Sequence, residues 1–317
     1  MCNVLITGGN GFLGSHLINF FLKKGYNILV ISRNNNNIDH LQDKIKFIKY
    51  ISESYKPYKD SIHNFNPNIV IHCAWDGGNN YNSIDDVNQF YNNIPQCISL
   101  LEIINSMIIK PFFMGVGSFA EYGILSKPVD ELHNETPLSY YGLSKNICKD
   151  VSHMFCIKNS IQWSWIRPCY IYGPNDVSTR LIPSVINSLL VGKNLVFDEC
   201  NTVIDYLYID DFCLAILSIL NTKTTGTTNI CSANEYKLKD IILLLQNKIN
   251  SKSNIYFDPK INKNNLSKYI VGNNEKLKST GWHTTIDLIE GLEKTIRSYT
   301  NHIDDLLISS NSSALIG

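Results

Sequence analysis

The stretch TGGNGFLGSHL, residues 7–17, decides the fold. It places three glycines three residues apart, directly after the β-branched run NVLIT (3–7) and at the start of an amphipathic helix pattern. In a strand–turn–helix of this kind, the glycines allow a tight turn, a close approach of backbone to a pyrophosphate, and packing of the helix on the strand. The helix N-terminus adds unpaired N–H groups that favour phosphate. The stretch therefore predicts a dinucleotide site, and the expected cofactor contacts in it are Gly8, Gly11, Phe12, Leu13 and Gly14.

Strand and helix patterns alternate through the first half of the chain. The predicted strands are residues 3–7, 27–32, 45–51, 68–74, 111–118 and 161–168, and the predicted helices are 15–25, 87–107 and 139–158. This alternation indicates parallel strands joined by crossover helices, which is an α/β fold with a Rossmann-type doubly wound sheet.

The alternation changes after Pro174, and we therefore expect a second, smaller lobe. The predicted Rossmann domain comprises residues 1–174 plus about 204–229, with one return of the chain to the sheet. The predicted substrate lobe is a discontinuous mixed α/β unit of about residues 175–203 plus 230–300. Residues 301–317 are rich in Ser and Asn and are predicted to form a disordered tail.

Composition excludes several classes of function. Lys plus Arg and Asp plus Glu both number 28, so the formal net charge is zero, and no run of Lys and Arg indicates a nucleic-acid or membrane partner. No apolar window reaches the length of a membrane span, and the chain enters its first strand without a signal-peptide pattern. The nine cysteines are scattered without ligand spacing, which favours reduced, mostly buried thiols in a cytoplasmic protein and no metal site.

The end of the second predicted strand indicates the type of cofactor. Enzymes that prefer NAD usually carry an acidic residue there, which holds the ribose 2′-hydroxyl. This chain has Ser32 and Arg33 instead, and a guanidinium suits a 2′-phosphate because it donates charge-assisted hydrogen bonds. We therefore predict NADP(H) as the cofactor.

A second motif, SYYGLSK (139–145), indicates acid catalysis. Tyr141 and Lys145 are four residues apart and share one face of a helix, whereas Tyr140 has no lysine at that spacing. An ammonium beside a phenol lowers its pKa towards the working pH, so Tyr141 is the predicted proton donor and Lys145 its tuner. Ser118 ends a buried strand at the rim where such folds bind ligands, and its hydroxyl can polarise a carbonyl.

With these motifs in order, the chain resembles the extended short-chain dehydrogenase/reductase family, in its nucleotide-sugar branch. The matching segments are TGGNGFLGSHL (7–17), NIVIHCAW (68–75), GSFAEYG (117–123), YYGLSK (140–145), WIRPCYIYGPND (165–176), RLIP (180–183), DYLYIDDF (205–212) and LKSTGW (277–282). The resemblance implies six or seven parallel strands, a lobe that binds a nucleotide-diphosphate sugar, and a homodimer formed through a four-helix bundle. It implies Ser118, Tyr141 and Lys145 as the catalytic group.

The resemblance also suggests residues for both ligands. The further cofactor contacts that it implies are Ala74, Asn93 and Pro168, beside Tyr141 and Lys145. The predicted substrate contacts are Trp75, Ser118, Phe119, Tyr140, Arg180 and Lys193.

Departures from the family pattern narrow the reaction. Dehydratases of this branch carry carboxylates after the catalytic serine, and one group of epimerases carries a cysteine two positions after it, but this chain has Phe119 and Ala120. The family's diphosphate-binding arginine is replaced by Ile204, and Glu121 has no assigned role. The chain is most similar to reductases of 4-keto-6-deoxyhexoses. The alternatives are an NAD-dependent 4-epimerase, a 4,6-dehydratase and a non-catalytic NADP-binding protein.

Overall fold

The computed structural model of the chain describes residues 2–77, 85–261 and 269–313, the last segment as backbone alone after residue 300. Its main feature is a seven-stranded parallel sheet in the order β11-β6-β5-β4-β1-β2-β3. The strands of this sheet are β1 (Asn3–Thr7), β2 (Asn27–Ser32), β3 (Lys46–Lys49), β4 (Ile69–His72), β5 (Phe112–Val116), β6 (Trp163–Pro168) and β11 (Gly226–Ile230). The predicted Rossmann-type doubly wound sheet is thus confirmed.

Helices cover both faces of this sheet. Together with those of the smaller lobe, the α-helices of the described residues are α1 (Phe12–Lys23), α2 (Lys59–Phe65), α3 (Asn88–Asn105), α4 (Tyr140–Lys158), α5 (Leu181–Leu190), α6 (Ile209–Thr222), α7 (Leu238–Ile249), α8 (Glu275–Lys278) and α9 (Leu288–Ser313). Alternate residues of a strand point to opposite faces. Val4 and Ile6 accordingly pack in the core that includes α1 and α6, whereas Leu5 packs in the core that includes α3 and α4. Burial on both faces explains why these strands read as continuous apolar runs.

The smaller lobe has three short sheets. Their strands are β7 (Tyr170–Tyr172) with β10 (Tyr206–Tyr208), β8 (Leu195–Phe197) with β13 (Ile255–Phe257), and β9 (Val203–Ile204) between β12 (Tyr236–Lys237) and β14 (Tyr269–Ile270). The chain returns to the main sheet at β11, which pairs with β6. The domain boundaries themselves stay a prediction.

The last helix differs from the sequence prediction. α9 continues past residue 301, where a disordered tail was expected, and ends at Ser313. Ile303, Leu306 and Leu307 keep the i, i+3, i+4 spacing of an amphipathic helix, a pattern that the prediction from Ser and Asn content did not weigh. Residues 314–317 of the predicted tail lie outside the described residues.

The order of the strands locates the ligand site. From β1 the chain moves to β2 on one side and later to β4 on the other, so the direction of winding reverses beside β1. Open α/β sheets bind ligands at such a switch point, beyond the carboxyl ends of the strands. A cavity of about 1310 Å³ lies there, lined by residues that follow β1, β2, β4, β5 and β6.

Candidate active site

The glycine-rich turn between β1 and α1 forms one wall of the cavity. Gly8 has a φ of +69°, and a Cβ there would lie 2.6 Å from the backbone of Ala74 on the neighbouring strand end. A Cβ at Gly14 would lie 2.5 Å from the carbonyl oxygen of Gly8. Only glycine therefore permits this close turn. No side chain caps the N-terminus of α1 at Gly11, which leaves its N–H groups available to a pyrophosphate. The turn fits a dinucleotide.

Ser118 and Tyr141 meet on the opposite wall. Ser118 follows β5, and its hydroxyl accepts a hydrogen bond from the Ala120 N–H at 3.1 Å, which caps the turn 119–121. Ser139 caps α4 in the same way and so positions Tyr141 in the first turn of that helix. Tyr141 and Ser118 both line the cavity there. The structure therefore brings the predicted proton donor and the predicted carbonyl-polarising hydroxyl together.

The pKa of Tyr141 differs from the prediction. Burial raises the pKa of Tyr141, and the Ser118 hydroxyl and the charge of Arg180 only partly oppose that rise. The ammonium of Lys145 lies 5.8 Å from the centre of the Tyr141 ring and donates instead to the Val116 carbonyl at 2.7 Å. The predicted lowering of the Tyr141 pKa by Lys145 is therefore wrong for this geometry, because the ammonium points to the end of β5.

Lys145 is itself strongly perturbed. The residue is 3% exposed, and burial lowers its pKa to about 8, against the opposing effect of Glu121. Its ammonium lies 3.6 Å from the centre of the Trp75 ring. Lys145 is thus a buried cation in the cavity wall, and its pKa of about 8 lies close to physiological pH.

Glu121 supports the Ser118 turn from below. Its carboxylate is fully buried and accepts from the Ser118 N–H at 2.7 Å and from the Arg167 Nε at 2.6 Å. Burial raises the pKa of Glu121, and the Arg167 guanidinium opposes that shift. Arg167 also pairs with Glu135, which in turn pairs with Lys149 on α4. This chain of charges links the Ser118 turn to the helix that carries Tyr141.

The predicted cofactor residues divide into two groups. Ser32, Arg33, Ala74 and Pro168 line the cavity with the glycine turn. Asn93 does not line it: its side chain accepts from the Asp76 N–H at 2.7 Å and donates back to the Asp76 carbonyl. Asn93 therefore holds the loop after β4, and the prediction of a direct cofactor contact is not supported by its position.

Arg33 has a partner that the sequence did not reveal. Its guanidinium lies at the mouth of the cavity, 2.8 Å from a carboxylate oxygen of Asp76, and both side chains are exposed. Asp76 also accepts from the Asn92 side chain at 2.8 Å. The loop after β4 thus brings a carboxylate to the guanidinium that was predicted to select the 2′-phosphate.

The predicted substrate residues are more scattered. Trp75 and Arg180 line the cavity. Phe119 packs in a separate apolar cluster with Tyr122, and Tyr140 is exposed beside Phe90. Lys193 is exposed after the end of α5. Phe119, Tyr140 and Lys193 do not line the cavity, and their roles as substrate contacts stay predictions.

Asp176 and Cys169 are among the cavity residues that the sequence prediction did not include. Asp176 lies 3.2 Å from Arg180, and burial raises its pKa to about 6 although Arg180 opposes the shift. Cys169 also lines the cavity, and its thiol donates to Asp205. Both belong to the segment WIRPCYIYGPND (165–176), which matches the family pattern, but no role was predicted for either side chain. Ile204, at the position of the family's arginine, is buried in the core.

The described residues contain neither a cluster of metal ligands nor a membrane-spanning helix. No group of three His, Cys, Asp or Glu side chains there could hold a metal ion. No helix in the same part of the chain combines the length and the apolar character needed to cross a membrane. None of the nine cysteines, all of which lie in the described residues, forms a disulfide bond.

Comparisons with known proteins agree with this architecture. A model of the NAD dependent epimerase/dehydratase family matches residues 4–231. CDP-abequose synthase of Salmonella typhimurium is 24% identical over 309 residues, which cover 93% of this chain and 97% of that protein. The dTDP-6-deoxy-L-talose 4-dehydrogenase (NAD(+)) of Aggregatibacter actinomycetemcomitans is 21% identical, with 76% of this chain and 88% of that protein covered.

A solved structure shows the same fold. UDP-glucose 4-epimerase of Thermotoga maritima, crystallised with UDP-glucose, superimposes with a TM-score of 0.86. The match covers 95% of this chain and 99% of that one, at 22% sequence identity. At this identity the likeness shows the fold alone.

Proposed function

The chain belongs to the NAD-dependent epimerase/dehydratase family, and on that premise we propose that it reduces the 4-keto group of a nucleotide-linked 4-keto-6-deoxyhexose with NADPH. The observation that carries this proposal is the complete burial of Glu121 and its ion pair with Arg167. It is the carboxylate that follows Ser118, but it is fully buried and bound to Arg167. A carboxylate in that position cannot reach a sugar, so elimination of water lacks its acid and base there.

The residues that remain suit addition of hydride to a ketone. The nicotinamide, when bound, supplies the hydride. Tyr141 donates its phenolic proton to the oxygen of carbon 4, and Ser118 donates a hydrogen bond to the same oxygen. The ammonium of Lys145, once turned from the Val116 carbonyl, stabilises the phenolate that Tyr141 becomes. A proton from water then restores the phenol, and the product is one 4-hydroxy epimer.

NADPH is proposed because of the residues at the end of β2. Ser32 and Arg33 line the cavity, and neither is acidic. A 2′-phosphate can replace the Asp76 carboxylate as the partner of the exposed Arg33 guanidinium. NADH has no such group. The preference for NADPH over NADH therefore depends on whether the 2′-phosphate displaces Asp76 from Arg33, and the affinities for the two cofactors measure that preference.

The nucleotide-sugar site is proposed at Arg180. Its guanidinium is partly exposed in the cavity and lies 5.9 Å from the centre of the Phe12 ring, so it faces the dinucleotide turn. It is a suitable partner for a diphosphate. The names of two similar proteins refer to CDP- and dTDP-linked sugars, which makes these the first nucleotides to test.

A homodimer is proposed through α3 and α4. These adjacent helices expose five large apolar side chains in the described residues, namely Tyr91, Tyr140, Leu143, Met154 and Ile157. Exposed apolar side chains grouped on neighbouring helices favour contact with a second copy. Replacement of Met154 and Ile157 by lysine is expected to shift sedimentation towards the monomer.

A 4-epimerase is the second candidate, supported by the fold that the chain shares with UDP-glucose 4-epimerase. One experiment separates the two. The protein is mixed with NADPH and 4-keto-6-deoxyhexoses linked to dTDP, CDP, GDP or UDP, and oxidation of NADPH is recorded beside the sugar products. A reductase consumes one NADPH for each sugar reduced. In a parallel mixture that supplies a 4-hydroxy sugar and oxidised cofactor instead, conversion of that sugar into its 4-epimer without net reduction of the cofactor, together with no consumption of NADPH in the first mixture, would establish the epimerase.

A further inference from the structure

Trp75 contacts both members of the proposed catalytic pair. The ammonium of Lys145 lies over its indole, 3.6 Å from the ring centre. The ring of Tyr141 meets the same indole edge-on, at 6.1 Å between centroids and an angle of 87°. One side chain from the end of β4 therefore touches two side chains one helical turn apart on α4.

Apart from the indole, the charge of Lys145 is stabilised by one hydrogen bond and by the carboxylate of Glu121, which lies beyond ion-pair distance. Its ammonium donates to the Val116 carbonyl, and no carboxylate of the described residues lies within ion-pair distance of it. An unpaired buried ammonium is costly unless its charge is compensated. The indole face, with its negative quadrupole, provides that compensation.

Other titratable groups surround Lys145, from the strand ends and from two helices. They are Glu121 from the turn after β5, His72 and Cys73 from the end of β4, Cys97 from α3, and Tyr141 and Cys148 from α4. Glu121 is held by Arg167, and burial lowers the pKa of His72 to about 3, which leaves it neutral. Burial raises the pKa of the Cys73 thiol to about 12. Neither His72 nor Cys73 therefore changes charge near pH 8, where Lys145 itself titrates.

The indole is fixed by a second helix. Its Nε1–H donates to the side-chain oxygen of Gln89 at 2.8 Å, and Gln89 is 2% exposed. Asn93, one turn later on α3, donates to the same oxygen at 3.3 Å. This arrangement gives Gln89 and Asn93 a role in the site although neither reaches the cavity.

We propose that Trp75 is a positioning residue, whose indole face holds the charged form of Lys145 and whose perpendicular contact fixes the ring of Tyr141. The assignment of Tyr141 and Lys145 as the reacting pair rests on the proposed function, but the contact between indole and ammonium does not. A cation–π contact at a desolvated site favours the charged form enough to raise the pKa by about one unit. Loss of the indole therefore lowers the pH at which Lys145 becomes neutral.

The first test uses the cofactor-free protein and its tryptophan fluorescence. The charge of Lys145 acts directly on the Trp75 ring, so emission of the wild type is expected to change with pH, with a midpoint near 8. The change is expected to be absent in Trp75→Phe and in Lys145→Met, while Trp282→Phe keeps it, because Trp282 contacts the Asp211 carbonyl elsewhere. A pH transition that persists in Trp75→Phe or Lys145→Met, or a wild type without one, would overturn the proposal.

The second test measures the pH dependence of turnover with each variant first shown to melt as the wild type does. Trp75→Leu is expected to shift the alkaline limb of kcat to lower pH by about one unit. Trp75→Phe, which keeps a weaker aromatic face, is expected to shift it by less, and Trp282→Phe not at all. A reduced kcat with an unshifted alkaline limb in Trp75→Leu would show a merely structural role and contradict the proposal. If no turnover is found, the fluorescence titration still decides the contact, so failure of the proposed reaction and of this proposal are distinguishable.

Discussion

Replacement of Glu121 by Gln tests whether a buried ion pair holds the catalytic turn. The carboxylate accepts from the Ser118 N–H, from Trp165 Nε1 and from Arg167 Nε, and every one of these partners is a donor. An amide places its own NH₂ donor against one of them in either orientation. Breaking a buried pair costs about 3–5 kcal/mol. Since Arg167 keeps Glu135 as a partner, we expect the lower end, about 3 kcal/mol.

That loss corresponds to a measurable shift in melting temperature. Unfolding entropies scale with chain length, so 317 residues give a fall of about 4–5 °C for about 3 kcal/mol. Thermal and urea unfolding followed by circular dichroism measure both quantities. Glu290→Gln is the matched control, because that residue makes an exposed i,i+4 pair with Lys294, and it should stay within about 0.5 kcal/mol. If Glu121→Gln is no less stable than this control, the argument for a buried support of Ser118 is refuted.

Three further predictions concern the cofactor, the acid and the pH. Tyr141→Phe should lower the rate of the chemical step by at least about 10²-fold and leave cofactor binding unchanged, whereas Tyr140→Phe should lower that rate only slightly. Single-turnover kinetics compare the two variants, and a larger loss of rate in Tyr140→Phe would contradict the assignment. Arg33→Ala should weaken NADPH binding far more than NADH binding, while Asp76→Asn should strengthen it by releasing the guanidinium; equal losses for both cofactors in calorimetry would remove Arg33 as the selector. His72 has its folded pKa lowered by burial from 6.5 to about 3, so the unfolded chain binds the extra proton between these values and stability falls as the pH falls. Compared with His72→Asn in urea unfolding, the wild type should lose up to about 1.4 kcal/mol more per pH unit in that window, and parallel curves would contradict it.

Local features of the sequence predicted the fold well. The glycines of residues 7–17 are needed because backbone atoms only a few residues apart in the chain lie very close together. A Cβ at Gly14, for example, would lie 2.5 Å from the carbonyl oxygen of Gly8. Strands buried on both faces, such as residues 3–7 and 27–32, leave a continuous apolar run in the sequence. Tyr141 was distinguished from Tyr140 by helical spacing alone, and the structure places Tyr141 in the cavity.

Long-range packing explains what the sequence could not predict. Arg167 lies 46 residues from Glu121, so no local pattern assigns them as partners. Asp76 reaches Arg33 across 43 residues, through a loop that Asn93 holds. The direction of the Lys145 ammonium depends on the indole of Trp75 and on the end of β5, neither of which helical spacing includes.

The most direct test of the central claim follows hydride with NADPH that carries deuterium in place of both hydrogens on carbon 4 of the nicotinamide. The protein is mixed with this cofactor and with a 4-keto-6-deoxyhexose linked to dTDP or CDP, and the sugar product is examined by mass spectrometry and proton NMR. A reductase that uses Tyr141 as its acid transfers one deuterium to carbon 4 for each NADPH oxidised and gives a single 4-hydroxy epimer. A 4-hydroxy product without deuterium at carbon 4, or a 4-keto sugar left unreduced with the NADPH unoxidised, would contradict the proposed reduction.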